Sequence, residues 1–511
     1  QDGGNAFDAA VAVQFALAVV YPGAGNIGGG GFMVAQDAEG KRYALDFREK
    51  APAAAERDMY LDPKGEVVAD LSWRGALAAG VPGSVAGMFA LHDSLGSLPM
   101  ADLIDPSILL AAGGFTLTEK EAKKLNSRIE DIRQYSTLPN ALVKRDSVVG
   151  GDSLLLPMLA ATLNRIKEDG QAGFYGGKTA DLIVEEMQRG GGIITHEDLL
   201  DYDAVWRQPL VGNYKGYSII SMPPPSSGGI ALLQLLESVE PYPLEEYGPL
   251  SPEAIHLMVE AERRTYADRA AHLGDMDYYP VPLAGLIDTA YIRERMADFD
   301  PAGAGSSEVV VAGVPAPESE ETTHFSIIDA AGNAVSITTT LNGTYGACAV
   351  VGGAGFLLNN EMDDFSSKPG VPNKYGLVGG EANAIAAGKR MLSSMTPTIV
   401  TRGNDVRMVL GTPGGSTIIT SVFQNIINVL EFGLNMQASV ELPRFHHQWL
   451  PDLIQYEEQA LPAKTEKSLE KLGHSLKVRS SIGRVDAILV RPDGTLEAGA
   501  DPRGDDTAAG Y

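Results

Sequence analysis

The chain contains a single cysteine, Cys348, among 511 residues. That excludes an intramolecular disulfide and any cysteine-based metal site. Basic residues are scarce as well: 40 Lys and Arg stand against 66 Asp and Glu, a formal net charge of -26. Such a surface repels nucleic acid and anionic membrane, so neither is expected as a partner. Long hydrophobic runs are missing. The longest, Ala9 to Tyr21, is broken by Gln14 and falls short of the ~20 residues a bilayer span needs. No Gly-x-Ser-x-Gly elbow and no His-Glu-x-x-His occurs. The neighbours His446 and His447 would not share a helix face, so packing or capping is expected of them, not a metal. No signal peptide is visible. The chain opens at Gln1 without Met, so an upstream segment is expected to have been removed, and an export signal could have gone with it.

What remains is an ordinary globular composition, 44% hydrophobic, long enough for one large unit or two to three smaller ones. Asn5 is placed to cap an apolar helix from Ala6 to Val20, which Pro22 and Gly23 stop. Gly25-Asn26-Ile27-Gly28-Gly29-Gly30-Gly31 then feeds a strand Phe32 to Gln36. A phosphate loop follows a strand and opens a helix; here the order is reversed, so close backbone packing is the expected reason for the glycines. The strand Tyr43 to Glu49 carries Arg48 in a core-like context, which suits either a surface salt bridge or an anion-binding role. Residues 80 to 275 read as mainly helical. They include a helix entered at Ser84, an extended Met222-Pro223-Pro224-Pro225-Ser226-Ser227-Gly228-Gly229 before another helix, and a helix begun by Ser251-Pro252.

Residues 301 to 321 are small, Pro-rich and acidic, the composition of an exposed loop. The loop runs into two alternating strands, Glu321 to Asp329 and Ala334 to Asn342, joined by Ala330-Ala331-Gly332-Asn333. Folded as a hairpin, they set Thr340 opposite Thr322, with Asn342 just past the end. Threonine is common in strands because it is β-branched, so the hairpin alone does not establish chemistry. A second Gly-rich loop, Gly411-Thr412-Pro413-Gly414-Gly415-Ser416, does join a strand to a helix, and its N–H groups could hold an anion or a developing oxyanion. With the usual signatures missing, one option for a hydroxyl nucleophile is a threonine activated by its own α-amine, which titrates near ~7.7–8.0. That amine requires a cut before Thr322, where the acidic loop ends.

Five ordered segments, Thr322-Thr323-His324-Phe325-Ser326, Met222 to Gly229, Leu358-Asn359-Asn360-Glu361-Met362-Asp363-Asp364-Phe365-Ser366, Leu392-Ser393-Ser394-Met395-Thr396-Pro397 and Pro413-Gly414-Gly415-Ser416, resemble the γ-glutamyltransferase (γ-glutamyltranspeptidase) family. The resemblance runs from Gly3 to Tyr511. It implies an α/β fold, the four-layer α-β-β-α sandwich of N-terminal nucleophile hydrolases. It also implies a precursor that cuts itself into a large part, 1–321, and a small part, 322–511, which together make one structural unit. By resemblance, Thr322 is the nucleophile and Thr340 assists it. Arg48, Ser393 and Ser394 hold the substrate α-carboxylate, and Asn342, Glu361 and Asp364 the α-ammonium. Gly414 and Gly415 form the oxyanion hole, and Tyr375 belongs to a lid. The implied substrates are glutathione and other γ-glutamyl compounds, with amino acids, dipeptides or water as acceptors. No metal or cofactor is implied, and the implied location is periplasmic or secreted. Thr417 departs from the arginine that many members carry there. Two other readings stay open. One is a glutaryl-type β-lactam acylase, disfavoured because its substrate lacks the ammonium that Glu361 and Asp364 would bind. The other is a non-catalytic relative, disfavoured by the intact threonines.

Overall fold

The computed structural model describes residues 3–68, 70–311, 321–368 and 380–510, with the backbone alone at Glu321 and Thr322. Tyr375, the loop around it, and residues 312–320 of the acidic loop lie outside the described residues.

Helix α1 (Ala6–Val20) starts as expected. The Asn5 side chain accepts from the N–H groups of Phe7 and Asp8, while Asp8 accepts from the Asn5 N–H. Its one polar break, Gln14, is buried and donates to Asn26 O at 3.0 Å and to Thr339 Oγ1 at 3.2 Å. The interruption of the apolar run is thus a tie between the helix and the sheet beneath it.

Two antiparallel sheets follow. The first contains β1 (Gly30–Gln36), β2 (Arg42–Asp46), β3 (Val205–Arg207), β6 (Glu321–Ile328) and β7 (Ala334–Asn342), in the order β3-β2-β1-β7-β6. The second contains β4 (Leu210–Tyr214), β5 (Tyr217–Ser221), β8 (Thr398–Arg402), β9 (Asp405–Gly411), β10 (Asp486–Val490) and β11 (Leu496–Gly499), in the order β11-β10-β9-β8-β5-β4. The period of two along β1 sorts its side chains between layers. Phe32 and Val34 pack between the sheets with Ile220, Ile399 and Val409 of the second sheet. Met33 and Ala35 face outward into a core shared with α1 and with α2 (Ser84–Leu95). The second sheet's outer residues, among them Ile219, Val400 and Leu410, pack on α3 (Gly228–Val239), α4 (Pro252–His272) and α5 (Thr417–Leu430). The result is the expected α-β-β-α sandwich. Among the described residues no helix is long and apolar enough to cross a membrane.

The first Gly-rich loop packs backbone against backbone, as its order implied. A Cβ at Gly29 would lie 2.0 Å from Thr340 O, and one at Gly31 would lie 2.4 Å from Thr338 O. Pairing begins at Gly30, two residues earlier than expected, because glycine lets β1 approach β7 over its whole length. Strand β2 stops at Asp46, before Arg48, although Phe47 still exchanges hydrogen bonds of 3.0 and 3.2 Å with Gly31. Gly29→Ala is expected to destabilise the protein by about 1–3 kcal/mol through overpacking against a carbonyl that cannot swing away. Thermal unfolding measures this, and an unchanged melting temperature would mean that the loop yields freely.

Candidate active site

The hairpin has the expected register: Thr322 and Thr340 are partners on β6 and β7. A shift between Glu321 and Thr322 sets Asn342 opposite Glu321, closer than a position past the strand end. On the other side of β7, Gly30 is the partner of Thr340. Gly30, Thr340 and Thr322 therefore form one row of backbone partners across three strands. Asn342 ends the strand at φ 68° and turns its N–H back to Thr340 Oγ1 at 2.7 Å. Its carboxamide donates to Asn360 O at 3.0 Å.

A small cavity opens beside Thr340 of this row, lined also by Arg48, Asn342, Glu361, Asp364, Ser393, Ser394 and Gly415 among others. Residues more than 300 positions apart in the chain thus meet in one place. Arg48 is buried, not at the surface, so its ion pairs are interior ones. Its Nη1 lies 2.6 Å from Glu361 Oε2, its Nη2 pairs with Asp364 Oδ2, and Nη2 also donates to Leu392 O at 3.3 Å. Glu361 and Asp364 sit on one turn of 3-10 helix, which puts both carboxyls on the same guanidinium. Burial raises the Glu361 carboxyl well above the usual range and also raises Asp364, while Arg48 pulls both back down. Glu49, which the sequence reading did not single out, joins them. It is fully buried, with Oε2 3.6 Å from Arg48 Nη1.

Ser393 and Ser394 are fixed by the Pro-rich segment, which is where its conformation matters. Ser393 N donates to Pro225 O at 2.9 Å, and Ser227 N and Oγ donate to Ser393 O at 2.6 and 2.8 Å. Arg269 on α4 donates to Ser227 Oγ at 2.8 Å and to Ser394 Oγ at 3.3 Å. Arg269 was missed from sequence. It lies in a helix buried on nearly every side, and its charge there was the available signal.

The second Gly-rich loop joins β9 to α5. Gly414 at φ 140° and Gly415 at φ 58° occupy conformations that favour glycine. Proline could not take the Gly415 geometry, so it would be no clean probe of the N–H there. Thr417, the departure noted above, donates through Oγ1 to Gly414 O at 2.7 Å and so buttresses the loop. The Tyr266 hydroxyl donates to Ser416 O, and Ser416 Oγ donates to Gln448 Oε1 at 2.9 Å.

Histidines do not serve this cavity. His324 is buried between the sheets with Nδ1 3.0 Å from Thr338 Oγ1 and Nε2 3.0 Å from Ser326 Oγ. Burial lowers it to about 3, so it stays neutral. His446 and His447 pack as expected, but on and beside the short strand Phe445–His446 and not on a helix; His446 Nδ1 is 2.9 Å from Thr420 Oγ1. His256, Glu260 and His474 also come together. The two rings are at hydrogen-bond distance, 2.8 Å, and Glu260 is engaged by Arg263, Arg264 and the Gly305 N–H, which is a structural knot.

A threonine row at a sheet end, a carboxylate-and-arginine pocket beside it and a sandwich of two sheets define the N-terminal nucleophile hydrolase class. The chain superposes on the crystal structure of cephalosporin acylase from Bacillus halodurans with a TM-score of 0.86 at 26% identity, covering 100% of this chain and 92% of that one. The family described as gamma-glutamyltranspeptidase matches residues 1–511, and the chain belongs to it. It is 45% identical over 515 residues to the glutathione hydrolase proenzyme of Escherichia coli strain K12, covering 100% of this chain and 89% of that protein. A solved chain of the Helicobacter pylori gamma-glutamyltranspeptidase is 46% identical with a TM-score of 0.59, covering 61% of this chain and 90% of that one.

Arg48→Lys keeps the charge but loses the planar fork that reaches Glu361 and Asp364 together. The expected outcome is a rise of roughly tenfold or more in donor KM, about 1.4 kcal/mol, with the fold intact by circular dichroism. An unchanged KM would make Arg48 purely structural.

Proposed function

We propose that this chain is a γ-glutamyl transferase and hydrolase of glutathione and related γ-glutamyl compounds, with Thr322 as nucleophile. The observation that carries the reading is the meeting of Arg48, Glu361 and Asp364 with Thr340 and Gly415 in one cavity. An amino-acid head group needs both signs of charge, and this pocket offers both. The substrate α-carboxylate takes the guanidinium together with Ser393 and Ser394. Glu361 and Asp364, released from Arg48, then take the α-ammonium with Asn342. The γ-carbonyl is left over the threonine row.

Cutting between Glu321 and Thr322 frees the α-amine, which removes the proton from the Thr322 hydroxyl as its oxygen attacks the γ-carbonyl carbon. Thr340, across the ladder, supports that hydroxyl. The N–H groups of Gly414 and Gly415 receive the charge that develops on the carbonyl oxygen, an interaction whose loss typically costs about 10²–10³ in kcat. The departing amine takes the proton, leaving a γ-glutamyl ester on Thr322. An acceptor amine or water then attacks the ester and regenerates the hydroxyl. The parts 1–321 and 322–511 stay together as one unit. Two findings support the processing step: the relative from Escherichia coli is a proenzyme, and the Helicobacter pylori chain covers 61% of this one, close to the 321 of 511 residues that precede Thr322. A lid at Tyr375 and export from the cytoplasm are carried over from the family resemblance and form part of the same proposal.

The acylase reading loses to this one because a glutaryl group carries no ammonium to satisfy Glu361 and Asp364. Purified protein is expected to run as fragments of 321 and 190 residues and to release glutamate from glutathione. A dipeptide acceptor should divert that flux into a new γ-glutamyl peptide. Thr322→Ala should remain one chain and be inactive. Cleavage of that variant at the same bond would show that the processing is not autocatalytic, and glutaryl amides turned over faster than glutathione would favour the acylase.

A further inference from the structure

Two buried hydroxyls in the cavity wall have a proton to give. Ser393 and Ser394 are both buried, and both line the cavity. A hydroxyl carries one proton and two lone pairs. Ser393 Oγ accepts from the Met395 N–H at 3.2 Å, and Ser394 Oγ accepts from Arg269 Nη2 at 3.3 Å. Each oxygen thus acts as an acceptor, and among the described residues neither hydroxyl meets an acceptor for its own proton. A buried donor left without an acceptor is costly. Both protons are left to face the cavity, where a group with two acceptor oxygens satisfies the pair.

Arg269 is the charged half of this arrangement. It is buried on α4, in the part before Thr322, whereas both serines lie in the part after it. A guanidinium donates and never accepts, so a hydroxyl that it reaches must send its own proton elsewhere. Arg269 Nε donates to Ser227 Oγ at 2.8 Å, and that hydroxyl passes its proton to Ser393 O at 2.8 Å. Nη2 donates to Ser394 Oγ, whose proton has no such outlet. One fork thus ties Ser227 to the backbone at Ser393 and leaves the Ser394 proton for the cavity. A hydroxyl that accepts from a cation is also polarised into a stronger donor. The charge is felt within the cavity: burial raises the Asp364 carboxyl, and Arg48 first and Arg269 after it oppose that rise.

We propose that Arg269 is a positioning residue of the donor site: it holds the Ser394 hydroxyl as a hydrogen-bond donor, so that the Ser394 proton meets one oxygen of the α-carboxylate that arrives at Arg48. Arg269 acts through Ser394 and does not itself touch the donor. A carboxamide in the same place would bring an N–H toward a hydroxyl already turned to donate, so Arg269 also sets the preference for a carboxylate there. The inference rests on the donor-binding reading of the cavity. Wild-type protein with no activity on any γ-glutamyl amide would defeat that reading, whereas an active enzyme in which Arg269 and Ser394 act independently defeats this inference alone.

Arg269→Met keeps an unbranched side chain and removes every donor. The test compares it with Ser394→Ala and with the double variant, by donor KM and kcat. A second readout is inhibition by L-glutamate and by its α-amide, which differ only in the group placed at Arg48. Arg269→Met is expected to raise donor KM about tenfold, the loss of one charge-assisted hydrogen bond, with kcat within about threefold of wild type. In the Ser394→Ala background the same substitution should cost less than about threefold, because the hydroxyl it acts through is gone. L-Glutamate should lose more affinity than its α-amide, and Arg269→Lys, which retains one charged donor, should recover part of the loss. A cost in KM that is the same in both backgrounds, or an equal loss on both inhibitors, would make Arg269 a structural support and overturn the proposal. If both Arg269 variants fail to fold or to self-cleave, Ser394→Ala alone decides with the same two inhibitors. The expectation is then a loss about tenfold larger for L-glutamate than for the α-amide. Equal losses would mean that no directed proton awaits the carboxylate, and the proposal falls.

Discussion

The structure depends on one guanidinium kept away from water. Arg48 is buried, and removing a charge from water costs several kcal/mol unless opposite charges and hydrogen bonds meet it. Glu361 and Asp364 meet it directly, and the carbonyl of Leu392 takes a further N–H. Those partners come from two segments, Glu361 to Asp364 and Leu392, both more than 300 positions from Arg48, so satisfying one arginine draws three parts of the chain together. An arrangement of this kind adds little net stability over apolar packing. On the proposed reading it holds charges in place for a zwitterionic ligand, so that binding exchanges partners and does not create new buried charge.

The second constraint is backbone proximity. The run of glycines before β1 lets three strands and the Leu357 carbonyl approach to distances no side chain would allow. That approach sets Gly30 beside Thr340 and Thr340 beside Thr322. Asn26 ties the same region by donating to Thr340 O at 2.8 Å, and Gln14 reaches it from α1. Strand β6 is therefore held by rigid elements on one side and, through the loop Gly411 to Ser416, by the second sheet on the other. His324, neutral and wedged against Gly411, fills the space between those two supports.

Much of this was legible in the order of residues. The Asn5 cap, the period of two along β1, and the hairpin turn are local signals, and local signals act over distances that a sequence pattern spans. The Thr322–Thr340 pairing followed from turn length alone, because in a hairpin the turn sets the register. The strand-then-helix order around Gly414 and Gly415 separated that loop from the earlier glycine run, whose order was wrong for an anion site. Glu49 and Arg269 were not legible: each is an unremarkable charged residue in its own segment, and only burial beside Arg48 or Ser394 gives it meaning.

By itself the sequence determined which elements form, the Thr322–Thr340 pairing and, through ordered motifs, the family. Tertiary structure decided which charges share a site. Secondary structure is specified by interactions between residues a few positions apart, or across one turn. Electrostatic environment is set by neighbours hundreds of positions away, as Glu361 and Asp364 reach Arg48 only in the folded chain.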